Sequence, residues 1–216
     1  MQAANFGIGT GAFLAERDDW PSAIGRARQE GWRVVELTAI TETLFDQLLV
    51  YLSGTNGSLK HFDRVSIHAP VVFESSASMF ARTIPSAPVG YDLVFHPDLY
   101  RDEATLAGLG SQVVFENMDL NKSFGRTVAD MSDVFRRFPS AGFCLDVAHV
   151  WTNDRTLCLG FELLDSFGSR LRQLHVSGIE PDGEHRPTTE SDLDLYQPLL
   201  DRCAHVPWIL ESELVH

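Results

Sequence analysis

Positive charge is scarce in this 216-residue chain: 17 Lys and Arg stand against 30 Asp and Glu, a formal net charge of −13. Nonspecific nucleic-acid binding needs several cations facing phosphates. No basic run supplies them, so a nucleic-acid partner is not expected. Cysteine is also rare. Cys144, Cys158 and Cys203 are odd in number and form no CxxC pair, which argues against a disulfide framework or zinc ribbon and suits a reducing cytoplasm. No stretch reaches the roughly 20 apolar residues of a membrane span. The N-terminus, MQAANFGIGTGAF, lacks the basic-then-apolar layout of a signal peptide. Together these absences predict a cytoplasmic protein with no membrane partner. Low-complexity tracts, linkers and residue-level repeats are missing as well, and the length suits one domain over residues 1–216.

What the chain does have is a rhythm. Eight short apolar or β-branched runs, at 6–13, 32–40, 64–72, 91–98, 111–119, 142–150, 171–179 and 206–214, alternate with stretches of helical character. DDWPSAIGRARQEG (18–31) offers Asp18 or Asp19 as N-cap, an early Pro21 and a closing Gly31. ETLFDQLLVYLSG (42–54) ends on Gly54, and GRTVADMSDVFRRF (125–138) puts Val128, Met131, Val134 and Phe135 on one face. Helices are also expected over 156–171 and 190–204, the latter interrupted at Pro198. The segments SSASMFARTIPSAP and RDEATLAGLG carry weaker signals, for short or irregular helix. Eight strand–helix units predict a (β/α)8 barrel. The sequence runs out just after the eighth strand, so a reduced barrel lacking its last helix is expected. An uncovered seam between the first and eighth strands would then invite a homo-oligomeric partner.

In such barrels the chemistry lies at the C-terminal ends of the strands. There the runs carry Glu36, His68, His96, Glu116, Asp146 followed by His149, His175 and Glu211, with Asp182, Glu184, His185 and Arg186 in the loop after the seventh. A single buried His or Glu is ordinarily a hydrogen-bonded structural residue. Converging around one axis, however, carboxylates and imidazoles form a site for divalent metal, because unpaired acids packed together would repel. His61, His205 and His216 fall outside this set and are read as solvated.

The ordered series VVELTAI, SIHAP, VFHP, VFEN, CLDVAH, LHVSG, EHRP and ILESE resembles the xylose isomerase-like TIM-barrel superfamily, which includes sugar phosphate isomerases, ketose 3-epimerases and endonuclease IV. The resemblance spans nearly the whole chain. Its epimerase-like branch implies a one-metal site of Glu116, Asp146, His175 and Glu211, with the two Glu exchanging protons on opposite faces of a sugar or sugar phosphate. The endonuclease IV-like branch implies a trinuclear phosphodiesterase that adds His68, His96, His149 and His185 and shares Glu116 as a bridge. Its Asp-x-His pair is imperfect here, because Gly183 stands two residues before His185. A third branch, of multinuclear non-heme iron oxidative enzymes, shares the barrel and similar histidines, and a non-catalytic metal-binding partner protein is the non-enzyme reading. The favoured expectation is a metal-dependent isomerase or epimerase holding one to three ions of Mn, Zn or Fe. Glu116 and Glu211 serve as its acid–base pair, and His149 orients substrate or binds a second metal. Glu36 and Arg186 are the expected substrate contacts, Arg186 for any anionic group.

Overall fold

The structure is a computed structural model that describes residues 6–16, 19–54, 58–72, 90–100, 104, 106 and 108–215. Eight parallel strands form a closed barrel: β1 (Phe6–Gly9), β2 (Val34–Thr38), β3 (Arg64–His68), β4 (Asp92–Phe95), β5 (Val113–Glu116), β6 (Gly142–Asp146), β7 (Leu171–Val176) and β8 (Trp208–Leu210). Each pairs with its sequence neighbours, and closure comes from β1 pairing β8, with Phe6, Gly7 and Ile8 opposite Trp208, Ile209 and Leu210. Gly7 is required at that closure. A Cβ on it would lie 2.8 Å from Val34 Cβ and 2.9 Å from Ile209 Cδ1.

The helices obey their sequence signals. α1 (Trp20–Gln29) starts at Asp19, whose carboxylate accepts from the Ser22 amide, and Gly31 beyond its end adopts a φ of +84°. It buries Trp20, Ala23, Ile24 and Ala27 against the barrel. α2 (Glu42–Gly54) follows β2. α3 (Val128–Arg137) opens on a reciprocal capping box between Thr127 and Asp130, and buries Met131, Val134 and Phe135. α5 (Cys158–Phe167) and α6 (Glu190–Arg202) complete the wall, and Pro198 does not interrupt α6. Of the weak candidates, the one after β3 lies wholly, and the one after β4 half, outside the described residues.

The structure also departs from the sequence reading in other places. The run 142–150 is not one strand: β6 stops at Asp146 and α4 (Val147–Asn153) begins there, because Asp146 Oδ1 caps the His149 amide at 2.7 Å. The chain after β7 folds back as a small hairpin, pairing Gly178–Ile179 with His185–Arg186, while Thr188–Thr189 pairs with Leu214–Val215 beyond β8. The expected bare seam is also absent among the described residues, although no helix follows β8 there. Ile8, Trp208 and Leu210 are buried, and Arg26 of α1 ion-pairs with Glu213 (3.0 Å) and Glu16 (3.2 Å) while lying over the Phe13 ring. An ion pair thus ties the first helix to the segment after β8, beside the joint of β1 and β8.

A strand alternates its side chains, and this decides what faces the barrel axis. Phe95, Phe115, Phe143, Leu145 and Leu174 point outward into the main core, whereas Val94, Val114 and Cys144 form a separate small inner cluster. One further inward step along β5, β6 and β7 brings Glu116, Asp146 and His175.

Candidate active site

Glu116 is the hub, 1% exposed. Its Oε2 lies 3.2 Å from His175 Nδ1, 3.4 Å from His68 Nε2 and 3.5 Å from His96 Nε2; its Oε1 lies 3.1 Å from His149 Nδ1. Four imidazoles from β3, the end of β4, α4 and β7 thus meet one carboxylate. His175 Nδ1 is also 3.1 Å from Glu211 Oε1, so the glutamates that end β5 and follow β8 reach the same nitrogen. Three sets bring ligand atoms within 4.8 Å of one another: Glu116, Asp146 and His175; His68, His96 and Glu116; and Glu36, His68, His175 and Glu211. The structure therefore brings together Glu116, Asp146, His175, Glu211, His68, His96 and His149.

Local hydrogen bonds aim several of these groups. His68 Nδ1 faces the Ala69 carbonyl at 2.8 Å, so Nδ1–H donates there and Nε2 points at Glu116. His149 Nδ1 is ringed by the Asn117 carbonyl at 2.9 Å, Glu116 Oε1 and Asp146 Oδ2, three acceptors that call for a proton on that nitrogen. Asn117 clamps β5 to β6, its amide donating to the Asp146 carbonyl and its Oδ1 accepting from the Asp146 amide. One carboxylate oxygen of Asp146 is committed to capping α4, while Oδ2 is buried with no hydrogen-bond partner. Glu116 Oε2, His175 Nδ1 and His96 Nδ1 are likewise buried without one.

The proton affinities of the groups are pulled apart. Burial would raise the Glu116 carboxyl, but the imidazoles of His175 and His96 and hydrogen bonds from His149 and His175 hold it well below the usual range. Burial pushes Glu211 up to about 7; His175 opposes this, while Glu116 and Asp146 add to it. Asp146 is raised by burial against the pull of His149. For His149, burial acts downward but is outweighed by Asp146 and Glu116, giving about 10. Burial depresses His96.

Glu36 and Arg186 take other places. Glu36 belongs to the barrel interior: it crosses from β2 to meet Gln173 and His175 of β7, which is not a neighbouring strand. Arg186 is not brought to the cavity, because its guanidinium forks onto Asp192 with two bonds of 2.7 Å and also meets Glu180. His185 lines the mouth, its ring 5.6 Å from that of His149. Asp182 and Glu184 are exposed, with Asp182 Oδ1 accepting from the Glu184 amide within their turn. His205 is exposed, but His61 is half-buried and edge-on to Phe62.

Above the hub opens a cavity of about 380 Å³, whose lining adds Thr38, Val71, Asp119 and Lys122 to the expected residues. Sequence reading overlooked Ser66 and Gln173, both buried. The available signal was period: each stands two residues before a site histidine, hence on the same face of its strand. Another cavity, of about 430 Å³, lies at the opposite end, where Arg64 and Asp92 pair with each other.

No family model matches the chain, and no curated protein matches it. Solved structures do. The chain is similar to the 3-keto-D-glucoside 4-epimerase of E. coli (14% identity, 99% of this chain and 94% of that one, TM-score 0.64). It is also similar to a xylose isomerase domain protein of Alicyclobacillus acidocaldarius (16%, 98% and 90%, TM-score 0.59) and to the D-allulose 3-epimerase of a Methylomonas species (14%, 96% and 84%, TM-score 0.58). The eight-stranded parallel barrel of this chain is a TIM-barrel fold shared with these structures.

Proposed function

We propose that the chain is a metal-dependent enzyme that isomerises or epimerises a sugar or sugar phosphate by moving a proton at a carbon beside a carbonyl. The observation that carries this reading is the pair Glu116 and Glu211. Both reach His175 Nδ1, both line the cavity, and their surroundings drive their proton affinities in opposite directions. Two carboxyls tuned apart in one site are the arrangement that acid–base chemistry near neutral pH needs. By the chain's own charges, Glu116 is held ionised and able to accept a proton, while burial pushes Glu211 up to about 7, where it can hold or release one. The similar structures include sugar epimerases, which supports the substrate class.

The donor set fits a divalent cation. Glu116 Oε2, Asp146 Oδ2 and His175 Nδ1 are buried, lack hydrogen-bond partners and lie within one ion's reach of each other. Glu116, Asp146, His175 and Glu211 would hold it, and a mixed carboxylate–imidazole shell suits Mn, Zn or Fe. When bound, such an ion polarises substrate oxygens and stabilises negative charge on them. Asp119, Lys122 and His185 line the same cavity and would contact the rest of the substrate.

A second reading has its own observation. His68, His96 and Glu116 form another three-ligand set, and His149 and His185 flank it. Two or three ions there would favour phosphodiester hydrolysis or, with iron, oxidative chemistry.

Elemental analysis of the purified protein, paired with proton NMR of candidate ketoses incubated with it in D₂O, tests both. One ion per chain with deuterium entering beside the carbonyl supports the isomerase reading, provided Glu116→Gln abolishes exchange. Two or three ions with no exchange on any ketose would overturn it.

A further inference from the structure

Beneath the ligand cluster lies a polar layer that the chemistry above does not use. Glu36, on β2, is 1% exposed inside the barrel. A carboxylate so buried is costly unless donors surround it. Three do. Glu36 Oε2 accepts from Ser66 Oγ of β3 at 2.7 Å and from Gln173 Nε2 of β7 at 2.6 Å. Glu36 Oε1 lies 3.0 Å from His175 Nε2, on the side of the ring opposite the nitrogen that faces Glu116 and Glu211.

We propose that Glu36 is a positioning residue: its Oε1 accepts the Nε2–H of His175, which fixes the ring and leaves the Nδ1 lone pair for an ion held between that nitrogen and the carboxylates of Glu116, Asp146 and Glu211. The inference rests on the metal-binding reading of that cluster. A ligating imidazole whose far N–H is held by a carboxylate has its tautomer and orientation set, and is a more basic donor. The opposite tautomer fits the surroundings poorly. Gln173 Nε2 is also 3.0 Å from His175 Nε2 and could donate to it only if that nitrogen were bare. A bare Nε2 would set its lone pair against Glu36 Oε1, carboxylate against acceptor. With Nε2 protonated, Gln173 and His175 stand side by side as two donors to one carboxylate, an arrangement that needs an acceptor at both oxygens. Glutamine at position 36 would turn an amide NH₂ toward one of those donors, so only the carboxylate satisfies all three.

Two measurements decide it. In Zn(II)-loaded wild type labelled with ¹⁵N-histidine, one imidazole, identified by its absence in His175→Asn, is expected to carry metal on Nδ1 and a proton on Nε2. The reverse assignment overturns the proposal, and this measurement needs no variant at position 36. Second, Glu36→Gln is expected to bind Co(II) about 10–100-fold more weakly, with an altered visible absorption band from the bound ion. Unchanged affinity and spectrum in Glu36→Gln, alongside lost binding in Glu116→Gln, would overturn the positioning role while leaving the metal-binding reading intact. A wild type that takes up no Co(II) would instead remove that reading, and this inference with it.

Discussion

Glutamine at positions 116 and 211 is expected to change stability in opposite directions, although both substitutions delete a negative charge from one site. Glu116 faces imidazole nitrogens at 3.1 and 3.2 Å. At an effective dielectric of about 20, each such pair is worth roughly 5 kcal/mol before desolvation, and breaking a buried pair from one side costs about 3–5 kcal/mol. For a domain of this size that is a fall in Tm of roughly 6–20 °C. Because the Glu116 carboxyl is held well below its ordinary value, its contribution is present above the unfolded value and lost as pH falls toward the folded one. Glu211 is the reverse case: burial raises it from 4.5 to about 7. Its folded form therefore resists ionising, and stability falls as pH climbs from 4.5 to about 7. Glu211→Gln removes that penalty, a gain of at most about 3 kcal/mol at about pH 8 and near zero at about pH 4. The side chain is 21% exposed, so solvent screening trims the gain. Urea denaturation of chelator-treated protein at both pH values measures each effect. Destabilisation by Glu211→Gln at the higher pH, or no effect of Glu116→Gln, would refute the electrostatic account of the site.

Other consequences follow from the same geometry. Ligation requires deprotonated donors, and His149, His175 and Glu211 all have raised proton affinity; metal uptake should release protons and tighten as pH rises, read by calorimetry in buffers of different ionisation enthalpy. Heat independent of buffer would contradict this. Gly7→Ala is expected to cost about 1–3 kcal/mol through overpacking against Val34 and Ile209 where the barrel closes, and an unchanged denaturation midpoint would show that the wall yields there. Arg186→Ala should lower stability by about 1–3 kcal/mol, since Asp192 is buried and loses its forked partner, while substrate KM stays as in wild type. A large rise in KM would restore Arg186 to the site.

Much of the architecture was legible in the residues. Strand–helix alternation, Asp19 as a helix start and Gly31 as a stop are local signals, set by hydrogen bonding and backbone freedom within a few residues. The set of histidines and acids that meets around Glu116 was equally readable, because closing a parallel barrel gathers its strand ends whatever the details of the walls. Asp146 and His149 were harder to read. Their spacing does not say whether they lie on a strand or across a strand-to-helix junction, and one carboxylate oxygen of Asp146 proves to be spent on the helix cap. The even spacing from Ser66 to His68 and from Gln173 to His175 likewise identifies shared strand faces but not what those faces meet. The sequence by itself determined which side chains share a strand face, since alternation along a strand is a local property. Only the tertiary structure decided that Glu36 reaches across to His175, that Arg186 turns away to Asp192, and that Arg26 of the first helix finds Glu213 beyond the eighth strand. Each of these is a contact between segments distant in the chain or between side chains with competing partners, chosen by closure of the barrel and by which charge finds its counterpart first in space.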